Sequence, residues 1–288
     1  MKKLFFLFSF VILTYASDFE IIKLRDYTFP GGIFKMQYID NTIYAVGYEF
    51  SIVSFFAKST DLGKTWIVLT PSIFPASSGL RDLHFISKNI GFLAGSKGYI
   101  YKTTNGRDDW SLISDTLFYN NDINSINALN DSTLIVAGNY STNIGTNVIM
   151  TTNNGKNWKV VNTNNDRTIY KLKIFSTEDI FLVGSSKTIL RSYDTLKSFV
   201  QIPITGGDNS LYDIEKIDDN EYIIVGTKGN IAKSTNGGLS FIAIDTTASK
   251  QPLYSVAFKG NLGIICGSNG ELYRSTDKGN NWQIVPAF

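Results

Sequence analysis

The chain has 288 residues, a formal net charge of +2 and one cysteine, Cys266. Its length suffices for one domain that buries roughly three quarters of the unfolded surface. The small charge argues against a nucleic-acid partner, because that affinity comes mostly from clustered Lys and Arg that neutralise phosphates. The single cysteine excludes an internal disulfide and predicts a buried, inert thiol.

The first seventeen residues predict a signal peptide, and residues 18–288 the mature domain. Lys2 and Lys3 precede a twelve-residue apolar run, which small residues follow. Such a run is too short to span a bilayer and is typical of a secretory signal. We expect cleavage after Ala16 or Ser17, a mature chain with no net charge and no transmembrane segment, and a periplasmic or secreted location.

From residue 34 onward, four short apolar runs recur in units of about forty residues. In the second unit, which begins at Leu80, they read LRDLHFIS, GFLAG, GYIYKTT and DWSLIS. The runs are rich in Ile, Val, Tyr and Phe, end at turn residues and show no helical period. Four short strands in a unit of this length predict a β-propeller blade. Six such units span 34–70, 80–116, 123–163, 169–204, 211–246 and 253–288.

Within the predicted mature domain, one apolar run precedes the first unit. FEIIKL, at Phe19, resembles a fourth strand, although the last unit already has a fourth strand of its own. This run is therefore either an extra edge strand or part of a seventh blade. We expect six blades.

An eight-residue motif follows each third strand. It reads STDLGKTW at Ser59 and returns five times at steps of 41 to 48 residues, with Asp or Asn third and Trp or Phe last. A short Asp or Asn side chain accepts hydrogen bonds from nearby backbone N–H groups, and glycine permits positive φ. A calcium loop would need more oxygen ligands. We therefore predict a structural turn between strands three and four of each blade, at Asp61, Trp66, Asn105, Trp110, Asn153, Trp158, Asp194, Phe199, Asn236, Phe241, Asp277 and Trp282.

The motif resembles the Asp-box, or bacterial neuraminidase repeat, of sialidases, sortilin-type receptors and related proteins. GSKGYIYKTTNGRDDW, GTKGNIAKSTNGGLSF and GSNGELYRSTDKGNNW are similar to the longer repeat of the photosystem II assembly factor family. The resemblance covers nearly all of the mature chain. It implies an all-β fold, a single propeller of six or seven four-stranded blades, and an assembly role in which one face binds another protein. A shared fold does not assign that role by itself.

The sequence argues against an enzyme. A sialidase needs three arginines around the substrate carboxylate, but only Arg81 begins a first strand, and the R-I-P element of sialidases is absent. A glycosidase carboxylate pair is harder to exclude: Asp82 and Asp213 come from units two and five, nearly opposite in a six-bladed ring, where a channel could separate them too far for the reaction. With His84 the only histidine, we predict no metal and no cofactor. A secreted glycan-active enzyme, of the glycoside hydrolase or sialidase type, is the alternative to a binding protein.

Two sets of residues are candidates for binding another exported or envelope protein, with the chain itself a monomer. Strand alternation places polar first-strand residues on the rim of the central channel, where a solvated lining is the alternative. The long loops 47–56, 70–79 and 138–147 predict a binding face rich in aromatics, where packing within the loops is the alternative. The candidates are Lys35, Asp82, Lys171 and Asp213 on the strands, and Tyr48, Phe50, Phe74 and Tyr140, with Tyr119 nearby, on the loops.

Overall fold

The computed structural model describes residues 31–49, 53–69, 74, 79–107, 109–114, 116–207, 210–244 and 249–286. These residues form six antiparallel sheets in chain order, which are the blades of a six-bladed β-propeller. The all-β prediction and the blade number are confirmed. The predicted signal peptide, 1–17, and the strand at Phe19 lie outside the described residues. No helix in the described part of the chain is long and apolar enough to cross a membrane.

Blades 1 to 3 make up most of the N-terminal unit, which contains the described residues up to 144 together with 148–160. Blade 1 contains β1 (Gly31–Ile39), β2 (Thr42–Glu49), β3 (Val53–Ser59) and β4 (Ile67–Leu69). Blade 2 contains β5 (Leu80–Phe85), β6 (Gly91–Gly95), β7 (Ile100–Thr103) and β8 (Ser111–Leu112). Blade 3 contains β9 (Ile123–Ala128), β10 (Leu134–Ser141), β11 (Thr146–Thr151) and β12 (Lys159–Val160). Short 3-10 turns occur at Ser96–Gly98 and Thr116–Phe118.

The other described residues form the C-terminal unit, which contains blades 4 to 6 and the first residues of β11. Blade 4 contains β13 (Ile169–Ser176), β14 (Asp179–Gly184), β15 (Ile189–Ser192) and β16 (Val200–Gln201). Blade 5 contains β18 (Leu211–Lys216), β19 (Tyr222–Gly226), β20 (Ile231–Ser234) and β21 (Phe241–Ile244), and β17 (Ile204–Thr205) extends it in parallel to β21. Blade 6 contains β22 (Leu253–Lys259), β23 (Leu262–Gly267), β24 (Leu272–Ser275) and β25 (Gln283–Ile284). Further 3-10 turns occur at Thr227–Gly229 and Ser268–Gly270.

The hydrophobic core lies between neighbouring blades. The second strands β6 and β19 are buried along their whole length, because another blade of the same unit covers each of their faces. In the N-terminal unit, the ring of Tyr44 from blade 1 stacks on Phe85 of blade 2 with a centroid distance of 3.7 Å. The fourth strands are short and mostly exposed. The apolar surface that stabilises the fold is therefore contributed mainly by the first three strands of each blade.

The repeated motif forms the turn between the third and fourth strands, as predicted. In blade 6, the carboxylate of Asp277 accepts hydrogen bonds from the backbone N–H of Asn281 and the hydroxyl of Ser275, at 2.9 and 2.8 Å. The indole of Trp282 is buried and donates to the carbonyl of Gly279 at 3.1 Å. A side-chain hydrogen bond from the residue four positions later, followed by backbone N–H bonds, lowers the pKa of the motif aspartates to about 2, at Asp61, Asp194 and Asp277. The motif is therefore a self-contained hydrogen-bonded turn.

A cation near the end of the third strand connects many of these turns to the preceding blade. Lys58 of blade 1 donates to the carbonyl of Gly106 in the blade 2 turn at 3.1 Å. Lys233 of blade 5 donates to the carbonyl of Lys278 in the blade 6 turn at 2.9 Å. The motif therefore also contributes to the contacts between blades. Lys102 and Arg191 make equivalent bonds to the turns of blades 3 and 5.

Candidate functional site

Every first strand contains a β-bulge, at its second residue in blades 2 to 6 and at its fourth residue in blade 1. In β13, Ile169 and Lys171 pair with the consecutive residues Gly184 and Val183, so that Tyr170 is an extra residue. A bulge of this kind redirects a side chain and often lies beside a functional site. The bulged residues, from blade 1 to blade 6, are Phe34, Arg81, Asn124, Tyr170, Tyr212 and Tyr254.

A glycine in the second strand makes room for the bulge in blades 2 to 5. A Cβ atom on Gly226 would lie 2.1 Å from the carbonyl oxygen of Ser210, the residue directly before β18. That same carbonyl accepts a hydrogen bond from the backbone N–H of Thr227 at 2.9 Å. The close approach, rather than backbone conformation, therefore requires glycine here. Equivalent glycines stand at Gly95, Gly138 and Gly184.

In the C-terminal unit the three bulged residues are tyrosines, and they form a continuous row. The first strands of blades 4, 5 and 6 lie next to one another. The ring of Tyr212 lies 5.2 Å from that of Tyr170 and 5.4 Å from that of Tyr254, measured between centroids. All three side chains are partly buried. We call Tyr170, Tyr212 and Tyr254 the tyrosine row.

The environment of the tyrosine row keeps its central phenol neutral. Burial raises the pKa of Tyr212, and the neighbouring phenols Tyr170 and Tyr254 raise it further, while a hydrogen bond with Ser210 lowers it. Ser268 donates to the phenol oxygen of Tyr254 at 3.1 Å. The row therefore presents flat aromatic surface with hydroxyl groups that can donate and accept.

In the N-terminal unit, the bulged residues of blades 2 and 3, Arg81 and Asn124, form a polar cluster instead, while blade 1 has Phe34 at this position. Arg81 donates to Asp122 at 2.8 Å and to the side-chain oxygen of Asn124 at 2.7 Å. Asp122 also accepts from the backbone N–H of Lys97 at 3.2 Å. Because its guanidinium already has these partners, Arg81 stabilises the junction of blades 2 and 3. The bulge position therefore presents tyrosine rings in blades 4 to 6 and an ion-paired arginine in blade 2.

The assignment of Asp82 and Asp213 to a binding rim is wrong. Both carboxylates are buried, with 2% and 4% of their surface exposed. Asp213 accepts from Ile214 N at 3.0 Å in its own blade, and from the Ser255 hydroxyl and Val256 N at 2.9 and 3.2 Å in the next blade. Asp82 makes the same three bonds to Leu83, Ser125 and Ile126. The bulge precedes both aspartates and shifts the strand alternation, which directs them between blades.

The other first-strand candidates, Lys35 and Lys171, are half-buried, and their assignment to a binding rim stays a prediction. Polar residues two positions further along each strand bond to the neighbouring blade. Lys173 of blade 4 forms an ion pair with Glu215 of blade 5 at 2.6 Å. Gln37 of blade 1 accepts from the backbone N–H of Phe85 and donates to its carbonyl, at 2.7 and 2.8 Å.

The loop aromatics divide into three cases. Phe74 is 7% exposed, and its ring lies 4.9 Å from that of Tyr101 and 6.4 Å from that of Trp110. Its assignment as an exposed binding residue is therefore wrong, because the core between blades 1 and 2 takes up the ring. Tyr48 lies in β2, but its side chain is not among the described ones, and Phe50 lies outside the described residues. Tyr140 is half-buried beside a cleft.

Among the described residues, no catalytic or metal-binding cluster is found. No three His, Cys, Asp or Glu side chains of the described part of the chain lie close enough to hold a metal ion. The buried guanidinium of Arg191 is bonded to Asp179 at 2.8 Å, and Asp179 also accepts from the phenol of Tyr222 at 2.6 Å. This group connects blades 4 and 5. Burial raises the pKa of Tyr222 to about 12, so the phenol stays protonated.

Residues 194–287 match the family model described as photosynthesis system II assembly factor YCF48. The chain is similar to a YCF48-like Asp-box propeller. A structure described as YCF48 bound to D1 peptide matches with 20% identity and a TM-score of 0.71, over 88% of this chain and 80% of that chain. YCF48 from Cyanidioschyzon merolae matches with 16% identity and a TM-score of 0.70, over 88% and 85%.

An enzyme has the same fold. The GH74 enzyme of Niastella koreensis matches with 14% identity and a TM-score of 0.67, over 87% of this chain and 46% of that chain. At such identities the structural likeness shows the fold alone. No curated protein sequence matches the chain. The resemblance predicted from the repeats is therefore confirmed for the fold and the repeat type, with a third of the chain matched by the family model.

Proposed function

We propose that the chain is an exported, non-enzymatic protein that binds a segment of another exported or envelope protein through the tyrosine row. The row carries the proposal, since three tyrosines occupy bulged positions on adjacent first strands at ring spacings of 5.2 and 5.4 Å. The matched family is described as an assembly factor, and one similar propeller is described as bound to a peptide. Both descriptions support a protein ligand, without indicating that the partner is photosynthetic.

The physical properties of the row suit a polypeptide. Tyrosine supplies a large amphipathic surface with only two side-chain torsions, so that little conformational entropy is lost on binding. Partial burial restricts the three rings further and preorganises them. Their spacing corresponds to a few residues of an extended peptide, which rises about 3.3 Å per residue. A segment with apolar side chains and free backbone groups can therefore stack on the rings and bond to their hydroxyls.

The proposal can be tested by capturing a partner from the envelope fraction of the native source with the mature chain. The affinity of the captured protein is then measured by calorimetry for the wild type and for a variant with Tyr170, Tyr212 and Tyr254 changed to Ala. Aromatic anchors at interfaces contribute about 1–2 kcal/mol or more each, so we expect the triple variant to weaken binding by about 100-fold or more. Urea denaturation of each variant separates lost affinity from lost folding.

Tyr193→Ala is the control, because this tyrosine of the same unit is exposed and belongs to the Asp-box turn of blade 4. We expect the control to bind as the wild type does. Unchanged affinity in the folded triple variant would show that the row is not the binding site. Failure of the wild type to retain any envelope protein would contradict the proposed function itself.

The first-strand aspartates do not support the alternative of a glycan-active enzyme. The two first-strand aspartates that a hydrolase could use, Asp82 and Asp213, are buried and each accepts three hydrogen bonds. Turnover of a polysaccharide by the purified chain would overturn the non-enzymatic assignment.

A further inference from the structure

A cleft of about 520 Å³ lies at the connection between blades 2 and 3 of the N-terminal unit. One wall is the segment 117–121, and the other is the segment 140–144, which contains the end of β10 and the following turn. The volume falls within the range of about 300–1,000 Å³ that is usual for small-molecule sites. The cleft is therefore large enough for a ligand of two or three small rings.

The lining is polar but carries no charge. It consists of asparagines, tyrosines, one serine, one threonine and two aliphatic residues, Leu117 and Ile144. The side chains of Asn120, Thr142 and Asn143 are exposed and make no hydrogen bond to any described residue. Amides and hydroxyls offer both donors and acceptors. The cleft is therefore suited to a ligand with many neutral polar groups and lacks the countercharge that an ionic ligand requires.

Two tyrosines add aromatic surface to these polar groups. Tyr119 is 65% exposed on one wall, and Tyr140 is half-buried on the other. The negative face of a phenol ring attracts polarised C–H groups, such as those on the flat side of a sugar ring. A sugar ring has flat C–H faces and hydroxyl groups around its edge. The aromatic rings on the two walls are complementary to those faces, and the amides and hydroxyls of the lining are complementary to the hydroxyl groups.

Ser141 belongs to the cleft wall and is 2% exposed. Its hydroxyl oxygen is enclosed and has no hydrogen-bond partner among the described residues. An unpartnered buried hydroxyl is destabilising and uncommon in folded proteins. Because the oxygen is enclosed, Ser141 contributes to the wall of the cleft and not to the groups that face a ligand.

From these observations we infer that the cleft between segments 117–121 and 140–144 binds a short neutral oligosaccharide. A peptide is less suited to the cleft, since only Leu117 and Ile144 offer aliphatic surface for apolar anchors. This site is distinct from the tyrosine row, which belongs to the C-terminal unit, and the inference does not depend on the proposed protein partner.

The test is titration of the purified protein with cellotriose, maltotriose, mannotriose and tri-N-acetylchitotriose, followed by calorimetry and NMR. We expect at least one of these to bind with a Kd in the micromolar to millimolar range, and trigalacturonate, which is anionic, not to bind. Tyr119→Ala and Tyr140→Ala should each weaken binding about tenfold or more. Tyr193→Ala, the exposed tyrosine of blade 4, should leave the Kd unchanged.

Ser141→Ala is a control within the cleft wall. Because its hydroxyl is enclosed and does not face the cleft, the variant should bind the saccharide with an unchanged Kd. The free protein should melt at the same temperature or higher, because the variant removes an unpartnered buried group. The inference would be overturned if none of the four saccharides bound, or if trigalacturonate bound equally well. It would also be overturned if the tyrosine variants kept the wild-type affinity, or if only short uncharged peptides competed for the cleft.

Discussion

Replacing Asp213 tests whether the buried first-strand carboxylates hold neighbouring blades together. Asp213→Ala leaves three donors without their acceptor, namely the N–H groups of Ile214 and Val256 and the hydroxyl of Ser255. Each orphaned buried donor costs about 1–3 kcal/mol, and loss of a buried charged partner typically costs about 3–5 kcal/mol in total. We therefore expect the free energy of unfolding to fall by about 3–5 kcal/mol.

Asp213→Asn should have a smaller effect. Its side-chain carbonyl can still accept the two bonds from blade 6, while its amide group would face the N–H of Ile214 and lose that bond. We expect a loss of about 1–3 kcal/mol. Urea denaturation followed by tryptophan fluorescence measures the free energy of unfolding, and hydrogen exchange at the Val256 amide measures the contact between blades directly. Asp131→Ala, at an exposed position, is the control and should stay within about 0.5 kcal/mol.

Two outcomes would refute this reasoning. One is an Asp213→Ala variant that keeps the wild-type free energy of unfolding and the protection of the Val256 amide, yet loses partner binding or turnover. The carboxylate would then be a recognition or catalytic group. The other is additivity between Asp213→Ala and Ser255→Ala, because residues that bond directly should show a coupling of at least about 0.5 kcal/mol.

Three further predictions concern the turns and the glycines. Trp282→Ala should lower the free energy of unfolding by about 3–5 kcal/mol, because the indole is buried. Ile284→Ala, at an exposed position, is the control and should lower it by about 0.5 kcal/mol. A Trp282→Ala variant that was fully stable but had lost partner binding would show that the turn is a recognition site. The hydrogen bonds to Asp277 hold its pKa at about 2, below the usual 3.8, so their stabilisation is present above about pH 4 and is lost as the pH falls towards 2. Asp277→Asn should reduce the slope of stability against pH in that window, as urea midpoints at successive pH values would reveal, and an unchanged slope would contradict the assignment. Gly226→Ala places a Cβ atom 2.1 Å from a backbone oxygen and should lower the free energy of unfolding by the upper end of the about 1–3 kcal/mol that overpacking costs. Gly79→Ala is the control, because its Cβ atom would meet only the hydroxyl oxygen of Ser96, at 3.3 Å, and equal thermal midpoints of the two variants would exclude the close approach as the reason for glycine.

The repeated turns and the blade number could be predicted because their chemistry is local. The side-chain hydrogen bonds within the turn at Asp277 join residues at most four positions apart, so one copy of the motif contains all the groups that make them. The spacing of the motifs then counts the blades. Nothing in either inference depends on which residues of distant segments meet.

The first-strand prediction failed because one inserted residue reverses the alternation of a strand. A regular pattern placed Asp82 and Asp213 on an exposed rim, whereas the bulges at Arg81 and Tyr212 direct them between blades. The sequence did contain an indication of the bulge, namely the glycine that ends most second strands, such as Gly226. That glycine can be interpreted only when the structure shows that a carbonyl group preceding the first strand approaches it closely.

The sequence alone determined the repeat, the strand order within a blade and the structural role of the eight-residue motif, since each depends on neighbours along the chain. Tertiary structure decided which repeated positions are available for binding. It buried Phe74 in a core, joined Tyr170, Tyr212 and Tyr254 across three blades, and brought Tyr119 and Tyr140 to the walls of one cleft. These outcomes follow from tertiary packing, which brings residues about twenty to forty positions apart in the chain into contact.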